Sequence, residues 1–156
     1  MKTEYKQSIN WVKLMLIRDG GRPDMTKRRI LSSKDIYDLS GSLIAYFGNL
    51  DREEMVLIGL DGKNRTLFFN SVSIGCLTSS IVHPREVFKP AILGNAVSII
   101  LVHNHPSGDP TPSPEDIEIT KRLVSGGEML GIKVLDHVII GENSYLSFAD
   151  KGLLNG

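Results

Sequence analysis

The chain is poor in cysteine, with one, Cys76, among 156 residues. A single cysteine excludes a disulfide within the chain and fits a protein of a reducing compartment. Cys76 is most simply interpreted as a small buried hydrophobic residue.

Long hydrophobic runs are also absent. No apolar stretch approaches the ~18 residues of a membrane-spanning helix. The N-terminal residues are polar and charged and lack the apolar core of a signal peptide. We therefore expect a cytoplasmic protein that acts without a membrane.

Neither sign of charge is in excess, because 18 Lys and Arg balance 18 Asp and Glu. A dedicated nucleic-acid binder usually carries surplus positive charge for the phosphate backbone. One basic cluster, Lys27-Arg28-Arg29, is interpreted as a solvated loop. DNA is therefore a weakly supported partner.

Size and patterning predict one α/β domain. With 41% hydrophobic and 23% charged residues, the chain suits a compact domain with an ordinary core. Strand-like and helix-like segments alternate, which predicts a layered domain with a central mixed sheet flanked by helices. We expect residues 1–32 to form an N-terminal strand and connector packed on a domain of residues 33–156. The predicted elements are a strand over 10–18, a helix over 34–48 capped by Ser33, a hairpin of strands 53–60 and 65–75, a helix over 84–94, a strand over 96–103, a helix over 114–128, and strands over 131–140 and 144–148.

The most informative stretch lies where the strand over 96–103 ends and the next helix begins. His103 and His105 are two residues apart, and side chains at this spacing in an extended segment point to the same side. Asp116 falls in the first turn of a helix that Ser113 is placed to cap and Pro114 to begin. Two histidines and one carboxylate leave a tetrahedral ion one position for water, as in catalytic zinc sites. The pattern predicts a hydrolytic metal site.

The spacing of these residues resembles a known family. His103-x-His105, seven residues, Ser113, two residues and Asp116 resemble the JAMM motif of MPN-type metalloproteases. The strings His103-Asn104-His105-Pro106-Ser107-Gly108, Val82-His83-Pro84-Arg85-Glu86, Leu135-Asp136-His137 and Ser147-Phe148-Ala149-Asp150 are similar to the RadC family of bacterial MPN proteins. The resemblance covers most of residues 36 to 154.

The resemblance implies a fold and an activity. The fold is the MPN/JAMM fold, similar to cytidine deaminases, and the cofactor is Zn²⁺ held by His103, His105 and Asp116. The implied reaction is hydrolysis of a peptide, isopeptide or other amide bond, with a peptide or protein as substrate. Ser113 matches the serine that helps hold the substrate carbonyl or its oxyanion, and the same residue can cap the helix.

The catalytic base is implied to be a glutamate that begins a strand after the first long helix. Glu53 and Glu54 both fit, but adjacent strand residues face opposite ways, so at most one faces the metal. Glu53 is preferred because its spacing to Leu60-Asp61 resembles RadC. Glu86 is a third candidate, although its place at a helix start favours stabilisation of the helix dipole.

The predicted site has alternative functional interpretations. A DNA-repair accessory or nucleic-acid-binding protein with a non-catalytic metal loop is the main alternative. Longer RadC proteins carry an N-terminal helix-hairpin-helix-like segment, which we do not expect in this chain. A metal-dependent nuclease is a third alternative, whereas a deaminase would need a Pro-Cys-x-x-Cys segment that one cysteine cannot supply.

Three further positions refine the expectation. Asn104 stands where JAMM deubiquitinases usually carry Ser or Thr, which argues against eukaryotic-type ubiquitin specificity, although it agrees with RadC. His83 and His137 are not expected to ligate the metal. His137 lies on an apolar, strand-like segment, which favours a structural role or one supporting a ligand.

Overall fold

The computed structural model describes residues 28–47, 51–74 and 82–154, and these form a mixed α/β domain. Its five-stranded sheet has the order β2-β1-β3-β4-β5, which confirms the predicted fold class. The elements are α1 (Ser33–Phe47), β1 (Glu54–Leu60), β2 (Thr66–Ile74), α2 (Pro84–Leu93), β3 (Ser98–Asn104), α3 (Pro114–Leu130), β4 (Lys133–Ile140) and β5 (Tyr145–Ser147).

Strand direction alternates across most of the sheet, with one parallel pair at its centre. β1 runs antiparallel to both β2 and β3, and β5 is antiparallel to β4. β3 and β4 are parallel, so the chain must cross over between them, and it does so through α3. The loop from β3 to α3 therefore lies at the carboxyl end of a central strand, which is a frequent place for ligand sites in α/β sheets.

The two central strands are buried on both faces. Every residue of β1 and β3 is buried, which explains their nearly continuous apolar sequences. Alternate residues serve opposite cores. One core, against α1, contains Ile36, Leu39, Leu43, Val56, Ile58, Ile100 and Val102, and the other, against α2 and α3, contains Met55, Leu57, Val87, Phe88, Ile99, Leu101 and Leu123.

The first helix begins differently from the prediction. Ser33, expected as the cap, is the first helical residue, and its hydroxyl donates to Asp150 at 2.6 Å. The preceding residue, Ser32, accepts from the Asp35 amide at 3.3 Å, and the Asp35 carboxylate accepts from the amides of Leu31 and Ser32. Ser32 therefore occupies the cap position, while the Ser33 hydroxyl is engaged with Asp150. None of the helices in the described ranges is long and apolar enough to cross a membrane.

The predicted N-terminal strand over residues 10–18, and Cys76, lie outside the described residues. The connector enters the described part at Arg28, whose carbonyl accepts from the Thr66 amide at 2.9 Å. Ile30 then donates to the Asn64 carbonyl at 2.9 Å and is buried in the α1-facing core. This short extended stretch thus runs along the β1–β2 turn.

Core packing predicts an unequal response to two truncations. Leu101 of β3 is fully buried, whereas Met129 near the end of α3 is 88% exposed. We expect Leu101→Ala to lower the free energy of unfolding by about 2–5 kcal/mol, since it removes buried methyl groups and leaves a cavity. Met129→Ala, the control, should change it by less than about 0.5 kcal/mol. Urea unfolding of both variants checks this; a small loss for Leu101→Ala would contradict the described core.

Candidate metal centre

Three electron-rich side chains meet at the carboxyl end of β3. His103 occupies the penultimate position of β3, His105 follows the strand, and Asp116 lies in the first turn of α3. One ligand atom from each lies within 4.8 Å of the others. The side chains of His103 and Asp116 are almost fully buried, and that of His105 is 11% exposed. The group therefore opens to solvent on its His105 side.

The ligand atoms converge on a common point. His103 Nε2 and His105 Nε2 are 2.8 Å apart. Asp116 Oδ1 lies 3.4 Å from His103 Nε2, and Asp116 Oδ2 lies 3.4 Å from His105 Nε2. Within the described structure, Asp116 Oδ1 is buried and has no hydrogen-bond partner. A buried carboxylate oxygen without a donor is costly, and a bound cation would relieve that cost.

The protonation of His105 is fixed from its outer side. Its Nδ1 lies 2.8 Å from the Asp109 main-chain oxygen. A carbonyl can only accept, so Nδ1 carries a proton, and when the ring is neutral Nε2 presents a lone pair toward His103 and Asp116. A lone pair and an unpartnered carboxylate oxygen facing each other in a buried site fit a divalent metal ion.

Burial and neighbouring charges favour the ligand forms of these groups. Burial lowers the pKa of His103 well below its usual value, which keeps the ring neutral. Burial opposes ionisation of Asp116, but hydrogen bonds to His105 and to the Ser113 amide together hold the pKa of its carboxyl below the ordinary value. The hydrogen bond to Asp116 raises the pKa of His105. A proton therefore competes with a metal mainly at His105, so metal affinity should fall as pH is lowered.

Local sequence explains why Asp116 is held in place. The Ser113 hydroxyl accepts from the Asp116 amide at 3.1 Å, and Asp116 Oδ2 accepts from the Ser113 amide at 2.7 Å. Together with Pro114 in the first turn, this reciprocal capping box confirms the predicted helix start. The cap leaves Asp116 Oδ1 directed at the histidines.

The two adjacent glutamates, Glu53 and Glu54, differ in their position relative to the histidines. Met55 is the β-partner of His103, so strand alternation continued to Glu53, the residue before β1, would place its side chain on the face of His103. Its charge also contributes to the raised pKa of His105, after the larger effect of the bond to Asp116. Glu54 points to the opposite face, where it is buried and its Oε1 accepts from Ser71 at 2.8 Å. Of the two, Glu53 is thus the glutamate whose charge acts on His105, and its role as base stays a prediction.

Asn104 has a contact that sequence reasoning missed. Its Oδ1 accepts from the Glu54 amide and its Nδ2 donates to the Arg52 carbonyl, each at 2.9 Å. The two bonds thus hold the backbone groups on both sides of Glu53. Strand alternation gave a signal for this contact, because Asn104 must point away from the face that its flanking histidines share.

His137 lies directly behind His103, in keeping with the supporting role predicted for it. His137 Nε2 is 2.7 Å from His103 Nδ1, and its ring stacks on Phe148 with centroids 4.8 Å apart. Burial lowers the pKa of His137 to about 4, so the ring is neutral at neutral pH. Its other nitrogen contacts Thr120, a residue that the sequence analysis did not single out.

The remaining candidates are not brought into this group. Glu86 is exposed in the first turn of α2 and pairs with Lys89 at 3.1 Å and Arg85 at 3.3 Å. The contact with Lys89, and to a smaller extent the contact with Arg85, lowers the pKa of Glu86. His83 is exposed at the start of α2. Neither belongs to the metal-ligating group formed by the described residues.

Comparison with known proteins gives a consistent result. Residues 30–153 match the family model described as a RadC-like JAB domain. The chain is 54% identical over 125 residues to a UPF0758 protein of Desulfitobacterium hafniense, covering 80% of this chain and 54% of that protein. It is 51% identical over 128 residues to a UPF0758 protein of Methanosarcina acetivorans, covering 82% and 55% respectively. A UPF0758 protein of Caldanaerobacter subterraneus is 54% identical over 123 residues, covering 79% and 52%. The chain spans about half the length of these curated relatives.

The capping box predicts a measurable loss of stability. Ser113→Ala removes the acceptor for the Asp116 amide, so we expect the free energy of unfolding to fall by about 1 kcal/mol, within the usual 0.5–2 kcal/mol range for caps. Ser113→Thr, the control, keeps a hydroxyl and should lose much less. Urea unfolding of the metal-free variants tests the cap. Equal stability of Ser113→Ala and the wild type would show that the cap contributes nothing.

Proposed function

Because the chain belongs to the RadC-like JAB domain family, a family of metal-dependent hydrolase-like domains, we propose that it is a zinc-dependent hydrolase of an amide bond. This membership confirms the resemblance that the motifs carry. The substrate would be a peptide, an isopeptide or another amide, in a peptide or protein. The observation that carries the proposal is the convergence of His103, His105 and Asp116 around a buried, unpartnered carboxylate oxygen.

The donor set favours zinc. Two imidazole nitrogens and one carboxylate oxygen are the three protein ligands found in many catalytic zinc sites, which keep a fourth position open. His103, His105 and Asp116 would hold the ion, and the partial exposure of His105 leaves a side for substrate to approach. A zinc ion bound there would supply Lewis-acid activation of a water molecule and of the scissile carbonyl.

Glu53 is proposed as the general base and then as the general acid. Strand alternation from Met55 supports a position on the face of His103, and the charge of Glu53 contributes to the raised pKa of His105. Its carboxylate would accept a proton from the attacking water as the new oxygen–carbon bond forms. It would then deliver that proton to the leaving nitrogen as the carbon–nitrogen bond breaks. Asn104 would hold Glu53 in place through the backbone groups on both sides of it.

Ser113 is proposed to bind the substrate carbonyl. In the helix cap its oxygen acts as an acceptor, from the Asp116 amide. The hydroxyl proton can then be donated to a carbonyl oxygen, or to the oxyanion that forms when water adds to it. One residue would thus both cap α3 and stabilise the transition state, and both duties keep it close to Asp116.

Two isosteric substitutions test the proposed base. Glu53→Gln removes the proton acceptor and should lower kcat by about 10²–10⁴-fold, the range typical of general acid–base catalysis, while zinc content stays unchanged. Glu54→Gln, the matched control, alters a carboxyl on the opposite face and should leave kcat close to that of the wild type. Hydrolysis of a panel of peptide, isopeptide and simple amide substrates, normalised to bound zinc, provides the measurement. A fully active Glu53→Gln variant, or an inactive Glu54→Gln variant that still folds, would refute this assignment.

A further inference from the structure

A line of three short hydrogen bonds runs behind His103, on the side away from the metal ligands. The Thr120 hydroxyl donates to the Asp116 main-chain carbonyl at 2.5 Å. Thr120 Oγ1 also lies 2.6 Å from His137 Nδ1, and His137 Nε2 lies 2.7 Å from His103 Nδ1. Thr120, His137 and His103 are all fully buried, so water does not compete for these bonds.

The protons in this line can be placed one after another. A hydroxyl has one proton, and the Asp116 carbonyl can only accept, so Thr120 Oγ1 has no proton left for His137. His137 Nδ1 must therefore be the donor to Thr120. A neutral imidazole has one N–H, which leaves His137 Nε2 as an acceptor. His103 Nδ1 must then donate to it.

The result is one defined tautomer of His103. With the proton on Nδ1, the lone pair of His103 lies on Nε2, the atom 2.8 Å from His105 Nε2 and 3.4 Å from Asp116 Oδ1. We infer that Thr120 and His137 are positioning residues that hold His103 in the tautomer required for metal binding. This inference rests on the proposed function in one respect only, namely that the three ligands bind a metal.

These bonds give the Nδ1–H group of His103 an acceptor without a carboxylate side chain next to it. Metal-ligating histidines commonly donate their second N–H to a carboxylate, a carbonyl or a water, which sets the ring orientation and the basicity of the ligand. Here the line ends on the backbone of Asp116 itself, one helical turn before Thr120 in α3. The same turn of α3 thus supplies a ligand through the Asp116 side chain and a fixed proton acceptor through its carbonyl.

A pair of substitutions at Thr120 tests the inference. Thr120→Val has nearly the same shape but lacks the hydroxyl, so His137 loses the acceptor that fixes its tautomer. We expect zinc affinity to fall by about 10–100-fold, as is typical when a residue supporting a metal ligand is removed. Thr120→Ser keeps the hydroxyl and should restore most of the affinity. Competition with a chromophoric chelator measures the zinc dissociation constant, and urea unfolding of the metal-free variants separates this effect from stability.

A second measurement depends neither on a variant nor on bound metal. In the ¹⁵N NMR spectrum of the metal-free wild type, His103 and His137 should each show a protonated Nδ1 and an unprotonated Nε2. A proton on His103 Nε2, or wild-type zinc affinity in a folded Thr120→Val variant, would overturn the inference. If the wild-type protein binds no zinc but shows the expected tautomers, the proposed function fails and the proton arrangement stands.

Discussion

The buried carboxylate of Asp116 is the constraint on which the site depends. One oxygen is committed to the Ser113 amide in the helix cap, and the other is buried without a partner among the described residues, facing His103. When both rings are neutral, the nearby imidazole nitrogens offer lone pairs. These electron-rich atoms then repel one another unless a proton or a metal ion lies between them, so the surrounding fold must hold them together. It does so with a rigid central strand, a capped helix start and buried hydrogen bonds.

The alternation of side chains along β3 assigns different duties to three successive residues. His103 and His105 converge on one side with Asp116, whereas Asn104 points to the other and binds the backbone that flanks Glu53. The end of the strand and the residue after it therefore present two candidate ligands, and Asn104 between them contacts the backbone around the proposed base. Behind the strand, β4 supplies His137 and α3 supplies Thr120, so the parallel β3–α3–β4 unit contains both the candidate metal ligands and the bonds proposed to orient one of them.

Much of this arrangement could be predicted from the sequence because it depends on local rules. Period-two and helical hydrophobic patterns predicted the mixed sheet and its helices, and the serine–proline–acid pattern predicted the cap of α3. The position of the first helix cap was wrong by one residue, since Ser32 and Ser33 are equivalent in sequence and differ only in packing. Strand alternation indicated the side to which Asn104 points, but the partners of Asn104 and Thr120 could not be predicted because these bonds join residues up to 52 positions apart across strands and a helix. Preference for Glu53 over Glu54 came from the family resemblance and stays a prediction, and strand alternation continued from the Met55–His103 pair favours the same choice.

X-ray absorption spectroscopy at the zinc edge, combined with metal analysis of the purified protein, tests the proposed metal site directly. We expect about one zinc per chain, with two imidazole nitrogens and one carboxylate oxygen at about 2.0–2.2 Å. The His103→Ala, His105→Ala double variant should lose the metal yet stay folded, since a chain of this length buries its own core. Stoichiometric zinc retained by that folded double variant, or a wild-type spectrum dominated by a sulfur ligand, would contradict the assignment of the site.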